Sequence, residues 1–111
     1  MTNWYEEVLA RTKELLDDLF DLLRIESVKD ESTRTEERPM GQEIGKALDF
    51  VLKISENRGF NFKNVDGYAE YGNHESSETI GILCHVDVVP ENGEWASPPF
   101  EPTIWDGKIF A

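Results

Sequence analysis

A histidine and an aspartate, His85 and Asp87, stand two positions apart directly after an uncharged apolar run. Side chains alternate along a strand, so these two would project to the same side, roughly 6–7 Å apart along the backbone. A neutral imidazole is a common zinc ligand, and it binds best when a carboxylate holds its second nitrogen. Zinc held in this way activates water for attack on an amide. The spacing therefore predicts a metal ligand, His85, and a carboxylate, Asp87, that orients it.

The pair also has a purely structural interpretation, in which the ring of His85 bonds a nearby carbonyl and Asp87 caps the following turn. Other chemistries have less support, because the sequence has no Gly-rich phosphate loop, no Gly-x-Ser-x-Gly elbow and no basic patch for nucleic acid. Cys84 suits a small buried hydrophobe better than a catalytic thiol. His74 lies in a polar stretch and is typical of a solvated loop histidine.

The elements that must position the pair begin with residues 79–84, whose β-branched and uncharged composition predicts a strand buried on both faces. A site at the end of such a strand is typical of open α/β sheets. Upstream, residues 3–25 predict one amphipathic helix, capped by Asn3 with Glu6 as its partner. Residues 42–57 predict a second helix that Gly59 ends. The apolar stripe of the first helix comprises Val8, Leu15, Leu16, Leu19, Leu22 and Leu23.

The remaining segments predict loops and short strands. Residues 26–38 lack periodicity and form a loop, while residues 60–65 and 68–71 form a strand pair around the turn Asp66-Gly67. Past Pro90 the chain is turn-rich, with a hairpin over residues 104–110. We expect Trp95, Phe100 and Trp105 to pack this region down. The predicted fold class is α/β: two helices, then strands of a mixed sheet, all within one partial domain over residues 1–111.

Composition narrows the function classes. The chain has 111 residues and a formal net charge of −12, which argues against nucleic acid and anionic membranes as partners. A single cysteine excludes an intramolecular disulfide. No apolar stretch approaches the roughly 20 residues that span a bilayer, and the acidic N-terminus is unlike a signal peptide. A cytoplasmic protein is therefore expected.

The motif around the pair resembles a known family. Residues 81–90, Gly-Ile-Leu-Cys-His-Val-Asp-Val-Val-Pro, followed by Gly-Glu-Trp at 93–95 and Ser-Pro-Pro-Phe-Glu-Pro at 97–102, are similar to the first metal motif of the zinc exopeptidases related to aminoacylase, carboxypeptidase G and succinyl-diaminopimelate desuccinylase. Within that family the chain looks most like the dipeptidase V branch. The resemblance extends back to residues 22–28, 47–50 and 58–60, and so covers essentially the whole chain.

The resemblance implies a dinuclear zinc dipeptidase, with Mn²⁺ or Co²⁺ as substitute metals, that hydrolyses dipeptides including β-alanyl ones. His85 would ligate one of the two ions, and Asp87 would be the catalytic aspartate that tunes it. Residues 88–100 would frame the entrance to the site. The family's other metal ligands, its general base and its lid domain would lie past Ala111, and the hairpin that has barely begun its second strand there also indicates that the natural polypeptide continues.

A catalytic zinc needs at least three protein ligands and a base for its water. The 111-residue chain is therefore expected to be an N-terminal fragment that is inactive on its own. Exposed strand edges would favour its self-association. Two alternatives stay open: a non-catalytic acidic α/β interaction domain of the same ancestry, and an amidohydrolase of the aminoacylase or desuccinylase type.

Overall fold

The computed structural model describes residues 1–64 and 67–111. The chain divides into two compact units. The first combines Met1–Ile25 with Glu91–Ala111, and the second is Glu26–Pro90. The predicted turn residue Asp66 and the end of its preceding strand, Val65, lie outside the described residues.

The first unit begins with two helices where the sequence predicts one. Helix α1 is Trp4–Ala10 and helix α2 is Thr12–Leu23. The Asn3 cap is confirmed, because its Oδ1 accepts a hydrogen bond from the amide of Glu6 at 3.4 Å. The single-helix prediction is wrong at Arg11, whose amide donates three residues back to Val8 at 3.1 Å. This tighter turn ends α1 without the Gly or Pro that would have marked the break in the sequence.

The predicted apolar stripe of the first helix is only partly covered. Val8 and Leu15 are exposed, and neither α1 nor α2 contains a buried residue. The four remaining leucines of the stripe, Leu16, Leu19, Leu22 and Leu23, are half-buried. Amphipathic periodicity therefore identifies the helical conformation correctly but does not guarantee that the apolar face is buried in this chain.

The first unit also contains a β-hairpin of β3, Thr103–Trp105, and β4, Lys108–Phe110. The strands pair antiparallel, with Ile104 opposite Ile109. Asp106 and Gly107 both have positive φ, 50° and 68°, which is what a two-residue hairpin turn requires. The predicted hairpin is confirmed. The predicted packing of Trp95, Phe100 and Trp105 is not confirmed. Trp95 and Trp105 are exposed, and Phe100 is half-buried.

The second unit is built on helix α3, Gln42–Asn57, whose bounds match the prediction. Its start follows a Pro-Met-Gly segment, and Gly59 with φ 84° lies just past its end. Ala47 and Leu52 on its apolar face are the buried hydrophobic residues of the described chain. The core of this unit therefore lies along one side of α3.

A second hairpin packs against α3. It consists of β1, Asn61–Lys63, and β2, Tyr68–Glu70, paired antiparallel with Phe62 opposite Ala69. The predicted strand pair is confirmed for these described residues. Gly67 lies so near α3 that a Cβ there would come within 2.7 Å of the Leu48 side chain. His74 follows in an exposed loop, as expected, with its Nδ1 3.2 Å from Glu70 Oε1.

The predicted central strand is the main error. Residues 79–84 carry no strand, and Ile80, Ile82 and Leu83 are 92%, 88% and 101% exposed. Cys84, predicted to be buried, is exposed as well. A strand requires hydrogen-bonded neighbours on its edges, and no described residue pairs with this run. The strands that are described form two separate two-stranded sheets, both antiparallel, rather than the predicted mixed sheet.

Candidate functional site

The segment that carries the predicted site residues is held at one end by a distant part of the chain. The amide of Val88 donates to the carbonyl of Ser27 at 3.0 Å, and Val28 pairs with Val88 in a parallel bridge. Ser27 is 4% exposed, which makes it a buried polar residue. Burial shields the carbonyl end of this hydrogen bond from competing water and so strengthens it. The residue immediately after Asp87 is therefore fixed to the chain that follows α2.

The two predicted site residues lie together. Nδ1 of His85 is 3.0 Å from the backbone carbonyl oxygen of Asp87 and 3.3 Å from its Oδ1. Both of these oxygens are acceptors, so the ring can bond them only if Nδ1 carries the hydrogen and donates it. In the neutral ring this leaves the lone pair of Nε2 free. That is the form in which imidazole binds a metal through Nε2.

Both side chains of the pair are open to solvent. The side chain of His85 is 81% exposed and that of Asp87 is 55% exposed. Water therefore screens their electrostatic attraction, and the geometry of the pair depends on hydrogen bonds and backbone position more than on charge. The exposure also leaves Nε2 accessible to a ligand. The contact of the ring with the Asp87 carbonyl is also the one that the purely structural interpretation of the pair predicts.

Within residues 1–64 and 67–111, no group of three or more His, Cys, Asp or Glu side chains is placed to hold a metal ion. A catalytic zinc requires three protein ligands and an open position. The donor set found here fits one ligand position and the carboxylate that supports it, and it falls short of a complete site.

A surface depression of about 580 Å³ lies elsewhere in the second unit and includes neither His85 nor Asp87. It is lined by Glu31, Arg34, Thr35, Glu36 and Pro39. These residues belong to the loop that precedes α3. The depression therefore does not extend the candidate site.

Sequence reasoning predicted that His85 and Asp87 lie close together but did not predict the contacts of Ser27 and Val28 with Val88. The contact joins residues 28 and 88, and a single parallel bridge leaves no periodic pattern in either segment. The one available signal was the pair of β-branched valines, which are common in strands but not specific to pairing with each other.

None of the helices among the described residues is both long enough and apolar enough to cross a membrane.

Comparison with known proteins gives consistent similarities. The chain is 42% identical over 112 aligned positions to the Bacillus subtilis (strain 168) protein named "Putative dipeptidase YtjP", covering 98% of this chain and 24% of that protein. It is 40% identical to the Staphylococcus haemolyticus protein named "Putative dipeptidase SH1171" and to a Staphylococcus epidermidis protein named "Putative dipeptidase". Each of these two alignments covers 97% of this chain and 23% of the relative.

No protein-family model matches the chain. The similarity to the curated relatives extends over nearly all of its residues, whereas the chain spans about a quarter of their length. Sequence identity of this size over a whole segment indicates common ancestry and a shared fold for that segment. The chain is thus similar over nearly its whole length to bacterial proteins named as dipeptidases.

Proposed function

We propose that this chain is the N-terminal part of the catalytic domain of a dinuclear zinc dipeptidase. The observation that carries the proposal is the His85–Asp87 pair, in which Nδ1 is engaged by Asp87 and Nε2 is left open. The similarity to proteins named as dipeptidases supports the same reaction class. The proposed substrates are dipeptides, including β-alanyl dipeptides, and the proposed location is the cytoplasm.

In this proposal each residue of the pair has a separate role. His85 would hold one of the two ions through Nε2, and Asp87 would keep the ring in the Nδ1–H tautomer. The chemistry that zinc supplies in such sites is the activation of water at neutral pH and the polarisation of a carbonyl. Mn²⁺ or Co²⁺ would occupy the same ligands.

The proposal assigns the remaining ligands and the general base to polypeptide outside these 111 residues. The described residues contain no group of three candidate metal ligands, and a catalytic zinc needs three, so we propose that the chain alone does not hydrolyse dipeptides. The exposed apolar run supports the same view, because Ile80, Ile82 and Leu83 have the composition of a buried strand. In the complete domain this run would gain neighbouring strands.

The test compares His85 with the other histidine in the longer polypeptide that contains this sequence. Replacing His85 by Ala should lower dipeptide hydrolysis by at least about 100-fold, because a metal ligand is lost. Metal analysis should show two zinc ions per unmodified chain and loss of zinc in the variant. The matched control is His74→Ala, which removes an exposed histidine outside the candidate site and should change neither property.

Asp87→Ala should lower dipeptide hydrolysis by roughly 10–100-fold, which is less than His85→Ala, because it removes a residue that supports a metal ligand and not the ligand itself. The 111-residue chain should show no turnover with zinc or manganese present. If His85→Ala hydrolyses dipeptides as well as His74→Ala does, the proposed function is wrong. Turnover by the 111-residue chain would refute the proposal that it is inactive alone.

A further inference from the structure

The hydrogen bond from Val88 to Ser27 and the hydrogen bond from His85 to Asp87 meet on the same peptide unit. The carbonyl of Asp87 and the amide of Val88 belong to one peptide bond, which is planar and rigid. On one side, the Val88 amide donates to the Ser27 carbonyl at 3.0 Å. On the other side, the Asp87 carbonyl faces Nδ1 of His85, also at 3.0 Å.

We infer that Ser27 is a positioning residue for the proposed metal ligand, because its carbonyl fixes the peptide plane that holds the ring of His85. The inference rests on the proposed function, because Ser27 positions a metal ligand only if His85 is one. The chain of contacts runs from the Ser27 carbonyl through the Val88 amide and the Asp87 carbonyl to the Nδ1–H group of His85. Ser27 touches neither metal nor substrate in this arrangement.

Rigidity of the peptide unit is what couples the two ends. An amide hydrogen and its carbonyl oxygen point in opposite directions across a trans peptide bond. When the Ser27 carbonyl holds the Val88 amide on one side, the Asp87 oxygen must point to the other side, where the imidazole lies. Hydrogen bonds linked through a peptide group also polarise one another, so each strengthens the next.

Ser27, at one end of this chain of contacts, is buried and holds the other residues in position. Ser27 is 4% exposed, while the side chains of His85 and Asp87 are 81% and 55% exposed. An exposed pair alone would exchange its hydrogen bonds with water. The parallel bridge of Val28 with Val88 places two β-branched residues side by side at the anchor. The anchor thus restrains a site whose own side chains are solvated.

The consequence concerns which nitrogen of His85 carries the hydrogen. With the Asp87 carbonyl fixed, the neutral ring keeps its hydrogen on Nδ1 and presents the lone pair of Nε2. If the peptide plane rotates, the ring loses this acceptor and the Nε2–H form gains population. Loss of the Ser27 contact should therefore change the ratio of the two tautomers without any change to His85 or Asp87 themselves.

The test removes the Val88 amide hydrogen by chemical synthesis. Cys84 allows a synthetic peptide of residues 84–111 to be ligated to residues 1–83, giving the full chain with N-methylvaline at position 88. A ¹⁵N-labelled His85 in the synthetic part reports the tautomer ratio by NMR at a pH where the ring is neutral. The matched control carries N-methylvaline at position 89, whose amide makes no hydrogen bond among the described residues.

N-methylation of Val88 should lower the ratio of the Nδ1–H form to the Nε2–H form by roughly threefold to tenfold, the size expected for one hydrogen bond. N-methylation of Val89 should leave the ratio unchanged. In the unmodified chain, the Val88 amide should also exchange with solvent more slowly than the Val89 amide. Equal exchange of the two amides, or equal tautomer ratios in the two methylated chains, would overturn the inference.

This result is independent of the test of the proposed function, because no metal or substrate is present. If the tautomer ratio responds and His85→Ala remains an active dipeptidase in the longer polypeptide, the hydrogen-bond chain stands and the metal role fails. If the ratio does not respond and His85→Ala is inactive, the metal role stands and the positioning role of Ser27 fails.

Discussion

The loop at residues 30–41 and the run at residues 79–84 both belong to the second unit. Polar segments are usually open to solvent and apolar segments are usually buried, but these two segments show the opposite. The loop is polar, yet it is closed on itself: the amide of Asp30 donates to the carbonyl of Met40 at 3.2 Å. The run is apolar, yet Ile80, Ile82 and Leu83 are almost fully exposed. The two segments differ in where along the sequence their hydrogen-bonding and packing partners lie.

The loop finds its partners nearby in the sequence. Arg38 donates to the Gln42 carbonyl at 3.0 Å and to Asp49 Oδ2 at 2.7 Å, which joins the loop to the first turns of α3. The Gln42 amide donates to Thr33 Oγ1 at 3.0 Å, and the Gln42 side chain donates to the Thr33 carbonyl at 3.1 Å. Local polar partners are therefore enough to order this loop on α3.

The apolar run needs partners that are distant in sequence. A strand is satisfied only by hydrogen bonds along its edges and by side chains that cover its faces. Among the described residues the segment has its bridge at Val88 and no neighbour beside residues 79–84. Polar residues that are close in sequence can order a loop, whereas a central strand forms only when neighbouring strands of the sheet pair with it. Self-association through this run remains our proposal for the isolated chain.

The largest effect that would sharpen this comparison comes from shortening one leucine in α3, the helix on which the loop is ordered, and one leucine in the apolar run. Leu52→Ala, on the buried face of α3, should lower the free energy of unfolding by about 2–4 kcal/mol, because it loses buried area and leaves a cavity. Leu83→Ala, at a fully exposed position, should change it by less than about 0.5 kcal/mol. Urea unfolding of the two variants measures both. A loss at Leu83 as large as that at Leu52 would show that the run is buried.

A smaller effect should separate two glycines of the same two regions. Gly41 has φ 109°, and a Cβ there would lie 2.8 Å from the Asp30 carbonyl oxygen. Gly41→Ala should therefore cost about 1–3 kcal/mol through backbone strain and the close contact. A Cβ added at Gly81 would meet no atom of residues 1–64 and 67–111 within 4 Å, so Gly81→Ala should have almost no effect on the unfolding free energy. Urea unfolding again gives both values, and equal costs would contradict the difference between the regions.

The sequence predicted most reliably the elements whose signals are local. Helix α3 matched because its periodic apolar positions are followed at once by a stop signal at Gly59. The hairpin of β3 and β4 matched because Asp106 and Gly107 tolerate positive φ. The break at Arg11 was missed because no breaker residue marks it. The strand at residues 79–84 was wrong because its burial depends on neighbours that local sequence does not specify.

In the candidate site, too, the local contact was predicted from the sequence and the long-range contact was not. The proximity of His85 and Asp87 was predicted from the alternation of side chains along a strand, but the structure forms no strand there. The two residues meet instead through a local contact of the ring with the backbone and the side chain of Asp87. The anchor at Ser27 was not predictable, because it joins residues far apart in the chain. The roles of the pair in metal binding and catalysis stay proposals, and the ligands needed to complete the site are not among the described residues.

The smallest expected effect is a pH dependence confined to the polar loop. Oδ1 of Asp30 accepts hydrogen bonds from the Ser32 hydroxyl at 2.7 Å and from the Ser32 amide at 2.9 Å. These bonds favour the carboxylate and hold the pKa of Asp30 below its ordinary value. Because the folded-state pKa is the lower one, the stabilisation is fully present above the ordinary pKa of about 3.9 and is lost as the pH falls through the folded value.

An NMR titration should therefore show the Asp30 carboxyl carbon and the Ser32 amide changing together below the pH at which a free aspartate titrates. Asp30→Asn keeps an oxygen acceptor for Ser32 but cannot ionise, so its Ser32 amide should lose this pH response. No corresponding change is expected at Ile80 or Ile82, which make no bond to Asp30 among the described residues. If the Ser32 amide responds equally in Asp30→Asn, ionisation of Asp30 is not the cause of the response, and the prediction is wrong.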